Sequence, residues 1–255
     1  MRRSNVSAGR LSTTRDELFI STKAGYDMWP GPYGDKGSRK YLISSLDQSL
    51  KRMHLDYVDI FYSHRYDPDT PLEETMQALV DIVRSGKALY AGISNYPYDA
   101  AAFAYSYLRE HNVPCLLHQL KYNILHRNPE DEGLIRQAAK NGSGLIVFSP
   151  LAQGLLTDRY LNGIPAGSRA SRDFSLKKDS LTPELLEKLE KLNHIAGERG
   201  QTLAQMALAW VLRDSMVTSV IVGASSLEQL DNNLLSIRNT RFSDEEIELI
   251  NVLTR

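Results

Sequence analysis

The sequence has a single cysteine, Cys115, so it cannot build an internal disulfide framework or a cysteine-rich metal site. A reducing, cytoplasmic setting is consistent with that count. Excess charge is also missing: 30 Lys and Arg stand against 31 Asp and Glu, a formal net charge of -1. Such a balance argues against nucleic acid or an anionic membrane as the main partner, and leaves small anions open. No run of about 18 apolar residues is present, so no membrane-spanning helix is expected. The basic start at Arg2 and Arg3 is not followed by an apolar stretch, so neither a secretory nor a twin-arginine signal is read. No low-complexity block or Gly/Ser-rich linker divides the chain, and Trp29–Gly34 reads as a short Pro/Gly loop. With 255 residues, 42% of them hydrophobic, residues 1–255 are expected to form one domain with a sizeable core.

Several chemical signatures are absent too. Neither G-x-G-x-x-G nor the P-loop pattern occurs, no G-x-S-x-G elbow is found, and no His/Asp/Glu group has metal-ligand spacing. What is present is an alternation of strands and helices. Short runs rich in β-branched and aromatic residues predict strands at Leu18–Lys23, Tyr57–His64, Ala88–Asn95, Cys115–Leu120, Gly144–Ser149 and Thr218–Gly223. Ser38 can cap a helix carrying Leu42, Leu46 and Leu50. Pro71 opens a second in the style of proline in the first turn, running to Gly86. Leu203, Ala207 and Val211 mark a third, and Ser226 starts a fourth. Strands covered on both faces by helices are parallel. Lys23, His64, Ser94, Asn95, Gln119 and Ser149 fall at strand C-terminal ends, which suits a (β/α)8 barrel better than a doubly wound sheet. Six units are visible where such a barrel has eight.

Lys23 alone is either a solvated strand end or a cation in a partly dry pocket, where it would favour a neighbouring phenolate. His64, one strand on, is either bonded to backbone or placed to polarise a carbonyl oxygen. His54, His111, His126 and His194 are read as surface residues, and His118 as packed within its strand. Phe148–Thr157 is either a Pro/Gly turn or an aromatic platform followed by anion-holding N–H groups. Gly223–Asn233 runs from a strand through glycine into a Ser-capped helix, which is also a possible anion site. Arg159 and Arg169 could add charge-assisted contacts to phosphate.

Five ordered segments, Ile20–Tyr26, Asp56–His64, Gly92–Asn95, Phe148–Tyr160 and Gly223–Asn233, resemble the aldo-keto reductases. Within that family, Lys23–Gly34 and Pro150–Leu156 resemble the branch of bacterial L-glyceraldehyde 3-phosphate reductases, sister to potassium-channel β subunits. The resemblance implies a TIM barrel and NADPH-dependent reduction of small aldehydes or ketones, of the glyceraldehyde 3-phosphate or methylglyoxal type. Lys23 and His64 match the family's catalytic Lys and His. Ser94, Asn95 and Gln119 would meet the carboxamide side of the nicotinamide, and Phe148 would stack on its ring. Ser149, Pro150, Leu151, Gln153, Arg159 and Arg169 would hold the pyrophosphate and neighbouring groups. Gly223, Ser225, Gln229, Asn232 and Asn233 would meet the 2′-phosphate and adenine end, with Asn232 standing where relatives carry Glu.

The family's first two strand-helix units, which hold its catalytic Asp and Tyr, have no counterpart in these 255 residues. Tyr26 is a tyrosine near Lys23 but lies in the following loop. The chain is therefore read as N-terminally truncated relative to the family, and six open-edged strands are expected to aggregate or to need a partner. Two functions remain: a reductase, or an inactive NADP-binding or interaction protein on the same scaffold. The expected partner is a small carbonyl compound, with a homo-oligomer possible and no nucleic acid or membrane.

Overall fold

Each short apolar run becomes a strand, and each capped amphipathic stretch after it becomes a helix. The computed structural model describes residues 14–161, 163–165, 168, 170, 171 and 176–255. They divide into two units. Unit 1 holds the residues up to Gln119 together with Gln137–Ser143, and unit 2 holds Leu120–Arg136 with Gly144–Arg255.

Unit 1 contains β1 (Ser21–Ala24), β2 (Val58–Ser63), β3 (Ala88–Ser94) and most of β4 (Cys115–Lys121). Neighbours pair in parallel, with Lys23 opposite Tyr62, Ser63 opposite Ile93 and Ser94 opposite Gln119. This register brings the strand C-termini level. Gly92 allows it, since a Cβ there would lie 2.5 Å from Cδ1 of the buried Tyr62. β1 is shorter than the sequence predicts. Asp59 Oδ2 accepts the Ile20 N–H at 2.7 Å, and Arg15 donates to the Leu18 carbonyl at 2.9 Å. Those groups are taken from a ladder by side chains, and Phe19 is 75% exposed.

Helix α1 (Arg39–Met53) starts where the Ser38 hydroxyl accepts the Tyr41 N–H, and it ends at left-handed His54, φ 55°. Helix α2 (Leu72–Arg84) has Pro71 at its N-cap rather than in its first turn, and Gly86 past its end at φ 76°. Helix α3 (Tyr98–Glu110) follows β3, and the short α4 (Leu134–Lys140) precedes the fifth strand.

In unit 2, β5 (Gly144–Phe148) pairs in parallel with β6 (Val217–Val220), Val147 opposite Val220. Here too a strand falls short of its predicted end. Ile221 makes one last bond to the Val147 carbonyl, and the chain then leaves the ladder before Gly223. Helices α5 (Pro183–Glu198), α6 (Leu203–Leu212), α7 (Leu227–Leu234) and α8 (Asp244–Thr254) start at Thr182, Thr202, Ser226 and Ser243, each accepting a backbone N–H. Thr202 with Gln205, and Ser243 with Glu246, form capping boxes. Leu203 to Val211 are all buried, because α6 is apolar on every side and sits centrally in its unit. The chain is thus α/β with six parallel strands, the pattern of part of a (β/α)8 barrel. Among the described residues no helix is long and apolar enough to cross a membrane, and no cluster of three or more metal-ligating side chains occurs.

Candidate functional site

In unit 1 the strand register assembles a polar group at the C-terminal ends. The half-buried Lys23 Nζ donates to Gln119 Oε1 at 2.7 Å. Burial lowers its pKa from the usual lysine value. The Asn95 N–H donates to the Gln119 carbonyl at 3.0 Å, and Asn95 Nδ2 to Ser94 Oγ at 3.2 Å. Asn95 adopts a left-handed φ of 53°, which asparagine tolerates better than most residues. Lys23, Gln119, Ser94 and Asn95 therefore form one connected set.

His64 follows β2, where its N–H donates to the Ala24 carbonyl at 2.8 Å. Burial, then the positive charges of Lys23 and Arg65, push its pKa down to about 4. At neutral pH it is an uncharged imidazole beside an ammonium group. Tyr26 packs its ring edge-on to that imidazole, centroids 4.7 Å apart at 82°. Tyr26 has no hydrogen bond to Lys23 among the described residues. The sequence places Tyr26 in the loop after Lys23 and gives no signal for this ring contact.

His118 is packed as expected: Nδ1 meets the Tyr105 hydroxyl at 2.9 Å, Nε2 is buried without a partner among the described residues, and burial pushes its pKa down to about 3. The surface reading needs correcting for His111 and His126, which are half-buried. His111 stacks on Tyr107, centroids 4.2 Å apart.

Unit 2 holds a cavity of about 680 Å³, within the range of small-molecule sites. Ser149, Pro150, Leu151, Gln153 and Arg159 line it from one side of the sequence, and Gly223, Ser225, Gln229, Asn232 and Asn233 from the other. Phe148 is half-buried on β5 and is not among the lining residues. Arg169 lies outside the described residues. The chain leaves β5 through left-handed residues at Ser149, Ala152, Gln153 and Gly154 (φ 55°, 46°, 62° and 102°). Such concentrated strain persists only where surrounding structure enforces it. Asn123 Nδ2 holds the Ser149 carbonyl at 2.9 Å, and Thr157 Oγ1 donates to the Gly154 carbonyl at 2.7 Å.

At the start of α7, Ser226 Oγ accepts the Gln229 N–H at 3.1 Å. Gln229 Oε1 accepts from the Ser225 N–H at 2.7 Å and from the Ser225 hydroxyl at 3.0 Å. Asn232 Oδ1 is engaged by Gln205 Nε2 at 2.8 Å. Asn233 is buried, and its Nδ2 has no partner among the described residues. An orphaned amide donor on a cavity-lining residue suits a ligand that brings an acceptor. Asp158 and Glu228 also line the cavity and were missed by sequence reasoning. Neither has a motif signal, since each is an ordinary first-turn acid of its helical segment.

The aldo/keto reductase family model matches residues 5–255. Over 241 residues the chain is 56% identical to the L-glyceraldehyde 3-phosphate reductase of Escherichia coli (strain K12), a match covering 92% of this chain and 69% of that protein. It is 36% identical over 233 residues to a putative voltage-gated potassium channel subunit beta of Schizosaccharomyces pombe, covering 89% of this chain and 68% of that protein. It is 37% identical over 233 residues to a probable subunit of the same kind from Arabidopsis thaliana, covering 89% and 70%. The parallel α/β architecture, the polar strand ends and a family match over nearly the whole sequence agree: the chain belongs to the aldo/keto reductase family, a family of oxidoreductases.

Proposed function

We propose that the chain is an NADPH-dependent reductase of small aldehydes and ketones, of the glyceraldehyde 3-phosphate or methylglyoxal type. The observation that carries this reading is the convergence of two distant segments, Ser149–Arg159 and Gly223–Asn233, on one cavity. The donor set fits a dinucleotide. The turn after β5 and the start of α7 offer N–H groups to phosphate, and Asn233 Nδ2 offers a donor to an adenine or ribose acceptor. Gln229 and Ser225 would meet the 2′-phosphate. When bound, a reduced nicotinamide supplies hydride to a carbonyl carbon. The chain's own part is to orient and polarise. Neutral His64 offers an N–H to the carbonyl oxygen, and the Lys23 ammonium favours negative charge on an oxygen or phenol beside it. That the 56% identical relative is an L-glyceraldehyde 3-phosphate reductase supports a phosphorylated three-carbon aldehyde as substrate.

A second reading is a catalytically inactive NADP-binding or interaction protein. One observation favours it: Lys23 is bonded to a neutral amide, Gln119 Oε1, with no carboxylate or phenol hydrogen-bonded to it among the described residues. Fluorescence titration with NADPH and NADH, followed by NADPH oxidation with methylglyoxal or glyceraldehyde 3-phosphate, separates the two. Binding with turnover supports the reductase, and binding without turnover supports the second reading. Failure to bind either dinucleotide removes the reductase and leaves only the interaction protein of the second reading. Equal affinity for NADH and NADPH would remove the assignment of Gln229 and Ser225 to the 2′-phosphate.

A further inference from the structure

Tyr26 is drawn into no step above, yet it is held more elaborately than its loop position requires. The loop from Gly25 to Gly37 is fixed at both ends. At the far end, Asp67 Oδ2 accepts the Gly37 N–H and the Thr75 hydroxyl donates to the Gly37 carbonyl, both at 2.9 Å. At the near end, the Tyr41 hydroxyl accepts the Gly25 N–H at 3.2 Å and donates to the Tyr26 carbonyl at 2.6 Å. A Cβ on Gly25 would lie 2.9 Å from His64 Cβ, so the loop runs directly against the histidine.

Arg65, the residue after His64, ties this loop down. Its Nε donates to the Gly25 carbonyl at 2.5 Å, and its Nη2 donates to both Asp35 oxygens at 2.9 and 3.0 Å. Its guanidinium lies 4.4 Å from the centroid of the Tyr26 ring, a stabilising cation–π distance. Arg65 has a carboxylate, a carbonyl and an aromatic ring as partners. We propose that Asp35 and Arg65 form a latch that clamps Tyr26 edge-on against His64, making all three positioning residues for the imidazole.

The latch explains how a half-exposed loop keeps His64 in one ring orientation. The charged groups facing the imidazole are Lys23 from β1 and Arg65, both cationic, and the Tyr26 ring packs edge-on against it. Asp35 acts on His64 only through Arg65. Releasing Tyr26 lets water reach the ring, and its pKa climbs toward the ordinary value of about 6.5.

The inference rests on reading His64 as the carbonyl-orienting residue, but its test needs no cofactor and no turnover. Imidazole signals of His64, assigned with a His64→Gln variant, are followed by NMR across pH in the full chain. Tyr26→Leu and Arg65→Gln should each raise the titration midpoint by one unit or more, whereas Tyr26→Phe, which keeps the ring edge, should leave it in place. Asp35→Ala, remote from the imidazole, should still shift the His64 ring signals, and Asp35→Asn should do so to a smaller degree. Unmoved His64 signals in Asp35→Ala, or a wild-type midpoint in Tyr26→Leu, would overturn the latch. A chain that binds no dinucleotide yet shows these shifts keeps the latch and loses the reductase reading. A chain that reduces aldehydes with unmoved signals does the reverse.

Discussion

Lys23 and Ser149 stand at comparable places, each at the C-terminal end of a short parallel strand, yet what surrounds them differs. In unit 1 the polar groups bond one another: Lys23 to Gln119, Asn95 to Ser94, Arg65 to Asp35. In unit 2 the chain leaves β5 through four left-handed residues and lines one cavity with the start of α7, and an amide donor, Asn233 Nδ2, has no partner among the described residues. The first arrangement fixes orientation and charge before anything binds. The second is also bonded internally, Ser225 to Gln229 and Asn232 to Gln205, and keeps its spare capacity at the Asn233 amide. Side chains that act on a reacting group gain from being locked, whereas a donor that holds a ligand gains from being unpaired until it arrives.

The comparison breaks most sharply at Lys23. If the chain turns over, Lys23→Met should lower reduction about 10²–10⁴-fold, while the dinucleotide Kd from fluorescence titration changes little. A loss of binding equal to the loss of turnover would show that the two regions are not separable in function. Next comes acid. His64 and His118 have folded pKa values below that of the unfolded chain, so the unfolded state binds more protons between about pH 6.5 and the folded values near 4 and 3. The stability they contribute is fully present above pH 6.5 and is lost as pH falls. For His118 the loss should reach about 2–3 kcal/mol by pH 4.5. Urea midpoints at pH 7 and 4.5 should therefore differ less in His118→Leu than in the wild type.

Smaller effects probe unit 2. Gln229→Ala removes the acceptor that holds the Ser225 N–H and hydroxyl, and should weaken NADPH about tenfold, roughly 1.4 kcal/mol, with a lesser effect on NADH. Asn233→Leu should weaken dinucleotide binding several-fold without lowering the melting temperature of the free protein, because the lost donor has no partner among the described residues. A clear drop in melting temperature would mean that this amide serves the fold rather than a ligand. The smallest expected effect is common to both regions. Ser38→Ala and Ser226→Ala each remove an N-cap acceptor, costing about 1 kcal/mol of stability, but only Ser226→Ala should also weaken NADPH.

Much of this was legible in the amino-acid order. Strand and helix identities follow from period and caps, as Ser38 and Ser226 show, because those signals depend on neighbours within about four residues. The two segments that line the cavity each carry a local signal, the Pro/Gly turn after β5 and the Ser226 cap of α7. The start of β1 was not legible, since Asp59 and Arg15 take backbone groups that the local pattern assigns to a ladder, nor was the end of β6, where the ladder stops after Ile221. Nor could the sequence show that Phe148 stays off the cavity lining, that Asp158 and Glu228 join it, or that Tyr26 rests against His64 under an Asp35–Arg65 clamp. The sequence by itself determined which segments become strands, helices, caps and turns. Only the tertiary structure decided which of them touch, because parallel register and loop packing join residues far apart in the chain, and no local pattern records that choice.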